Sequence, residues 1–262
     1  MSLLIFVKVE VIPIKFPVVR ETKIDEIAKF LSNYIENGDI VAVCSSLISR
    51  AEGRVKKLDE FTPTKKAIEI AKKIGEDARF VQAVLDESEE ILIEYPFLLV
   101  KSKSGNICVN AGIDRSNVES GFILLLPKDP DKSAEKLRRI FEKMGFKVGV
   151  VITDTNGRCF RKGVTGFAVG ASGLITVRNW INSKDLFDNT LKKTQECIVD
   201  EIAAFANLIM GEGGDSIPAV VFRGLDFVLS TRSEGVKSIY RNDGEDIIRR
   251  IIREWRESLL QE

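Results

Sequence analysis

Apolar and polar positions follow two periods along this chain. Within the apolar run Leu3 to Ile14, Lys8 and Glu10 alternate with Val7, Val9 and Val11, which predicts a half-buried strand. Ile24, Ile27, Leu31 and Ile35 then recur at helical spacing, with Thr22 placed to cap the helix and Gly38 to stop it. A short strand, Ile40 to Cys44, runs directly into Ser45 and Ser46. A second helix opens at Thr62-Pro63 and closes at Gly75, and a third covers Asp77 to Glu87.

The middle of the chain reads as strands. Phe97 to Ser102 and Ile107 to Asn110 flank a Ser104-Gly105 turn, and Phe122 to Leu126 follows. Ser133 caps a helix bearing Leu137, Ile140, Phe141 and Met144, ahead of the β-branched run Val148 to Thr153. Gly163 to Gly173 is poor in helix formers and reads as tight turns or strands packed closely on a ligand or another backbone. Asn189 to Met210 is the longest helical pattern, stopped by Gly211 and followed by the strand Ala219 to Phe222. A final helix, Glu245 to Leu260, sets Ile247, Ile248, Ile251, Ile252 and Trp255 opposite Arg249, Arg250 and Arg253. The alternation predicts an α/β fold of mixed α+β character. Residues 1–86 with 210–262 are expected to form one α/β subdomain, and 87–209 a central mixed-sheet subdomain.

At 262 residues with 44% apolar content, the chain can bury a sizeable core, and its 39 basic and 39 acidic residues cancel. Without a net field there is nothing to draw nucleic acid or an anionic membrane, so an anionic ligand needs a local site. The N-terminal run has the pattern of neither a signal peptide nor a membrane span. Cys44, Cys108, Cys159 and Cys197 form no CxxC pair and read as reduced thiols of a cytoplasmic protein. The absence of histidine excludes Ser-His and Cys-His nucleophile pairs and HExxH zinc chemistry. Carboxylate-held Mg²⁺ or Mn²⁺ remains open.

Four polar motifs follow apolar elements. Ser45 to Arg54 can hold phosphate through hydroxyls, amides and the guanidinium groups of Arg50 and Arg54, or can be a solvated loop. Asn110 to Asn117 offers Asp114 as a metal ligand with Asn117 beside it, or is a plain Asx-rich turn. Thr153 to Arg158 sets Asp154 and Thr155 at a strand end, with Arg158 and Arg161 available to neutralise a transferred phosphoryl group. Gly211 to Pro218 is no Walker A loop, yet its glycines allow backbone amides to wrap an anion; Glu212 or Asp215 can add a metal oxygen. Gly211 by itself is explained as a helix stop.

In this order, Ser49 to Arg54, Asn110 to Val118, Thr153 to Arg158 and Asp200 to Pro218 resemble the coenzyme F420-0 γ-glutamyl ligase family, in its archaeal single-module form. The resemblance begins at Ile12-Pro13-Ile14-Lys15 and spans nearly the whole chain. It implies two intertwined subdomains with mixed β-sheets flanked by helices. It also implies a GTP-dependent amide ligase, often a homodimer, that adds one or more L-glutamates to F420-0 with divalent metal and K⁺.

Carried over by motif, Asp114, Asp154, Thr155 and Glu212 are the implied metal residues, and Asp154 with Arg158 the catalytic pair. Ile12, Pro13, Ile14, Lys15, Ser45, Ser46, Arg50, Asn117 and Gly211, Glu212, Gly213, Gly214, Asp215, Ser216, Ile217, Pro218 are the implied nucleotide contacts. Many relatives have Lys where this sequence has Arg50, which keeps the charge and changes its bonding geometry. Phosphoryl transfer to a carboxylate followed by amine attack needs positioning and electrostatics, not histidine. Two other readings compete: a nucleotide-binding regulator without transfer chemistry, and a metal-dependent phosphohydrolase.

Overall fold

In the computed structural model, which describes residues 8–17, 21–232 and 234–259, the apolar strand Ile40–Cys44 lies inside a five-stranded sheet. Its neighbours are Ala219–Arg223, antiparallel, and Gly149–Arg158, parallel; Glu10–Ile14 and Arg161–Ser172 complete the edges. Both faces are covered, which is why the central strands are continuous apolar runs. Val41, Val43, Val150, Ile152 and Val221 pack into one cluster with Ile27, Leu31, Leu137 and Phe141 of the helices Ile24–Leu31 and Pro130–Lys143. Each such side chain contributes about 1.5–3 kcal/mol when fully buried. The opposite face carries the helix Ile198–Met210, whose Phe205 ring lies 5.2 Å from that of Phe222.

The glycine-rich stretch is a strand, and its glycines mark close approaches of backbone to backbone. A Cβ on Gly166 would lie 2.3 Å from the carbonyl oxygen of Ala203, and one on Gly170 would lie 2.3 Å from that of Pro130. The two glycines therefore seat helices on opposite faces. A register shift between Ile152 and Thr153 separates their positions along the strand pair, as a bulge does when it reorients side chains.

The long helical pattern is shorter than its periodicity predicts. Only Ile198–Met210 is helical, while Gln195–Cys197 pairs as a strand with Val177–Asn179. Residues 180–194 form a loop ordered by Asp185, which accepts from the backbone N–H groups of Phe187 and Asn189 at 2.8 Å each. The N-terminal strand is Glu10–Ile14; the part of the predicted strand from Leu3 to Val7 lies outside the described residues.

These elements belong to a unit of residues 1–52 and 129–239, and a second unit contains 53–128 and 240–262. The division differs from the one expected at 86 and 210. Residue 210 ends a helix that packs on the same sheet as the strand following it, so no boundary falls there.

In the second unit, Lys65–Ile74 is capped by Thr64 and ended by Gly75 at φ 73°, and Ala78–Asp86 is capped by Asp77. Phe80, Val81, Val84, Leu98, Val100 and Ile123 form its core beside short antiparallel strands. The C-terminal helix Ile247–Leu259 reverses the sequence expectation. Ile247, Ile248, Ile251 and Trp255 are exposed, whereas Arg249 is 7% exposed and bonds Glu90 Oε2 at 2.7 Å. Arg253 joins the same carboxylate, and this hydrogen-bonded ion cluster fixes which face turns inward.

Candidate functional site

Three neighbouring strands end at one edge of the five-stranded sheet. Ile14 pairs with Ala219, Ala219 with Val43, and Cys44 with Thr153. One step beyond that edge lie Lys15, Pro218 and Ser45, level with Asp154, which is not at a strand end as expected because its strand continues, paired with Arg161–Ser172, to Arg158. Strand ends of α/β sheets are where backbone groups and side chains converge on a ligand. The fold thus gathers three of the four sequence motifs and the Ile12 to Lys15 segment.

Backbone bonds tie these segments together. The N–H of Phe16 donates to Ser216 O at 3.0 Å, and that of Cys44 to Pro218 O at 2.8 Å. Ile12 and Pro13 sit within the edge strand, where a missing proline N–H is tolerated; Ile14 is buried in the core and Lys15 is exposed.

The expected polar loop at Ser45 is a helix, Ser45–Ala51. Leu47 and Ile48 anchor it in the core, Ser45 and Ser49 are buried, and Ser46 and Arg50 are half-buried. Arg54 lies in the second unit, where its Nε donates to Leu126 O at 2.8 Å and its guanidinium pairs with Glu87. The Cys44 thiol, 3.1 Å from Ser46 Oγ, is pushed above its ordinary pKa by burial, which keeps it protonated and inert. All four cysteines are free thiols.

Asp154 is half-buried on the strand Gly149–Arg158 and accepts the Ser45 hydroxyl at Oδ1, 3.0 Å away. Thr155 follows on the same strand, opposite Gly166. Arg158 and Arg161 face each other at the exposed far end of this ribbon. Four residues of strand set Arg158 about 13 Å beyond Asp154.

The helix Ile198–Met210 leads into the glycine loop. Gly211, at φ 69°, donates its N–H to Asn207 O at 2.9 Å, and the Asn207 amide donates to Glu212 Oε1 at 2.6 Å. Gly211 to Asp215 are exposed. A Cβ on Gly213 would meet only Asp215 Oδ2 at 4.0 Å, and one on Gly214 nothing within 4 Å, so the loop backbone is open to approach.

Asp114 and Asn117 belong to the second unit. Asp114 takes the Asx-turn form, accepting from Ser116 N at 2.6 Å and Ser116 Oγ at 2.7 Å, and its backbone bridges Leu124. Asn117 is exposed at φ 52°. Arg115 pairs with Glu76 and stacks 4.2 Å over the Phe80 ring.

Among the described residues, no three Cys, Asp or Glu side chains are grouped as a ready metal centre. The sequence-predicted metal residues of this unit all offer oxygen, with the Asp154 carboxylate on the face of the strand that carries Phe167 and the Thr155 hydroxyl on the opposite face, toward the helix that leads to Glu212. That chemistry fits Mg²⁺ or Mn²⁺, since Mg²⁺ commonly takes one or two carboxylates and completes its shell with water and substrate phosphates.

Sequence reasoning did not single out Asn207 or Gly166, and it read Ser45 only as a nucleotide contact. Asn207 stands one helical turn before Gly211, a spacing visible in the sequence but indistinguishable there from an ordinary polar helix position.

The model of the F420-0:gamma-glutamyl ligase family matches residues 13–224. The coenzyme F420:L-glutamate ligase of Archaeoglobus fulgidus is 57% identical over 251 residues, covering 94% of this chain and 98% of its own. Proteins of the same name from Methanosarcina mazei and Methanocaldococcus jannaschii are 44% and 42% identical. They cover 84% and 92% of this chain, and 86% and 97% of their own lengths. By the extent of these matches, across the sheet, the glycine loop and both units, the chain belongs to the F420-0:gamma-glutamyl ligase family of enzymes.

Proposed function

We propose that this enzyme joins L-glutamate to coenzyme F420-0, using GTP and a divalent cation and releasing GDP and phosphate. The observation that carries the reading is the common sheet edge shared by Lys15, Ser45, Asp154 and the Gly211 to Pro218 loop, set beside 57% identity to a coenzyme F420:L-glutamate ligase.

In this mechanism the terminal carboxylate of F420-0 attacks the γ-phosphorus of GTP, and the bond to the β–γ bridging oxygen breaks. GDP leaves with that electron pair, and an acyl phosphate forms. The glutamate amine then attacks the acyl carbon, phosphate departs, and the nitrogen loses a proton to give the amide. The γ-linkage of any second glutamate would use the side-chain carboxylate of the first.

The glycine loop would receive phosphate oxygens on its backbone amides. Lys15 and Arg50 supply positive charge there. Asp154, Thr155 and Glu212 are the residues proposed to hold Mg²⁺ or Mn²⁺. Bound there, the cation would neutralise charge on the β- and γ-phosphates during transfer. Ser45 keeps Asp154 oriented as an acceptor. Arg158 stays proposed for the same transfer, and K⁺ as a stimulating ion.

A homodimer is also proposed; the exposed Ile247, Ile248, Ile251 and Trp255 face supports an interface. No helix among the described residues is long and apolar enough to cross a membrane.

The reading is tested by mass spectrometry of F420-0 incubated with glutamate, GTP and Mn²⁺, with phosphate measured in parallel. Added glutamyl masses, and phosphate release that requires both acceptors, are the expected result. Nucleotide binding without turnover would favour a regulator, and full phosphate release without glutamate or F420-0 a phosphohydrolase.

A further inference from the structure

Asn207 makes two bonds at the point where the helix Ile198–Met210 gives way to the glycine loop. Its carbonyl accepts the N–H of Gly211 at 2.9 Å, and its side-chain amide donates to Glu212 Oε1 at 2.6 Å. The same residue lies against the strand Arg161–Ser172, because a Cβ on Gly166 would come within 2.6 Å of Asn207 Cβ. Gly166 in turn pairs with Thr155, beside the Asp154–Phe167 pair. This run of neighbours links the face of the strand that carries Thr155, through Gly166 and Asn207, to the carboxylate of Glu212.

We infer that Asn207 is a positioning residue for Glu212, holding one carboxylate oxygen so that the other is presented to a divalent cation. The inference rests on the proposed metal role of Glu212. An amide suits this role because it donates to a carboxylate without adding a charge that would compete for the metal. With Oε1 engaged, the side chain loses rotational freedom and Oε2 is the oxygen left to coordinate. Gly166 is the second half of the device, because any larger residue would lift Asn207 away from the strand.

The experiment uses the full chain bound to a non-hydrolysable GTP analogue. Free Mn²⁺ is followed by electron paramagnetic resonance during titration of the parent, Asn207→Ala, Glu212→Gln and the double variant. Urea midpoints are recorded alongside to confirm that each is folded.

Groups that orient metal ligands typically change affinity by about 10- to 100-fold, so Asn207→Ala is expected to weaken Mn²⁺ binding by about 10-fold or more. In the Glu212→Gln background the same change is expected to have little further effect, since Asn207 acts through Glu212. Weakened binding in Glu212→Gln with parental binding in Asn207→Ala, or full additivity in the double variant, would overturn the inference alone. Parental Mn²⁺ affinity in Glu212→Gln would overturn the metal role of Glu212, and the inference with it.

Discussion

Ser45 and Asp154, 109 positions apart in the chain, are joined by a hydrogen bond of 3.0 Å from the serine hydroxyl to Asp154 Oδ1. The parallel pairing of Cys44 with Thr153 makes it, since Ser45 follows the last paired residue of one strand and Asp154 is the next residue along the other, which continues to Arg158. Asp154→Asn is expected to keep the fold and to lower ligase turnover about 100-fold or more, by removing a charge from the proposed metal site. Ser45→Ala should cost less, about 10-fold, by loosening the carboxylate. Turnover measured at saturating Mn²⁺ checks both, and parental rates in Asp154→Asn would remove it from the site.

The glycine loop separates fold from ligand binding unusually cleanly. Added Cβ atoms at Gly213 and Gly214 have free space, and neither residue has positive φ. Gly213→Ala and Gly214→Ala should therefore remain within about 1 kcal/mol of parental stability. If the loop amides approach phosphate, GTP affinity by calorimetry falls at least about 10-fold in one or both variants. Unchanged affinity in both would leave the nucleotide to the Ser45 to Arg50 segment.

Gly166 should behave in the opposite way. Its missing side chain admits the Ala203 backbone, which cannot rotate aside as a flexible side chain would. Gly166→Ala is expected to lose about 1–3 kcal/mol or more of stability, read as a lowered urea midpoint at unchanged slope. A parental midpoint would show that the helix Ile198–Met210 shifts without penalty.

Glu90 supplies a pH prediction. Hydrogen bonds from Arg253, opposed by burial and assisted by Arg249, bring its pKa down to about 2. A carboxylate depressed in the folded state contributes stability that is present above its unfolded pKa and is lost as pH falls through the folded one. Glu90→Gln should therefore destabilise the second unit near neutral pH by about 2–3 kcal/mol, and the difference from the parent should shrink between about pH 4.5 and pH 2. Urea titrations across that range measure it. A constant difference would assign the loss to packing instead.

What the sequence determined by itself was the content of the core and the order of the motifs. Val41, Val43, Val150 and Ile152 are buried because no other placement removes so much apolar surface from water. The four polar motifs identify the family through residues whose types and order are legible one after another.

Tertiary structure decided the rest, wherever a choice depended on a partner distant in the chain. The helix Ile247–Leu259 turns Arg249 and Arg253 toward Glu90 because that residue, far away in sequence, offers a carboxylate that hydrogen-bonds both guanidinium groups. Residues 195–197 leave the helical period because Val177–Asn179 provides a strand to pair with. Gly166 could be known to admit a backbone only once the helix carrying Ala203 and Asn207 lay across it. Local periodicity reports how much apolar surface a segment must bury, whereas hydrogen-bond partners and close approaches exist only after the chain has brought distant segments together.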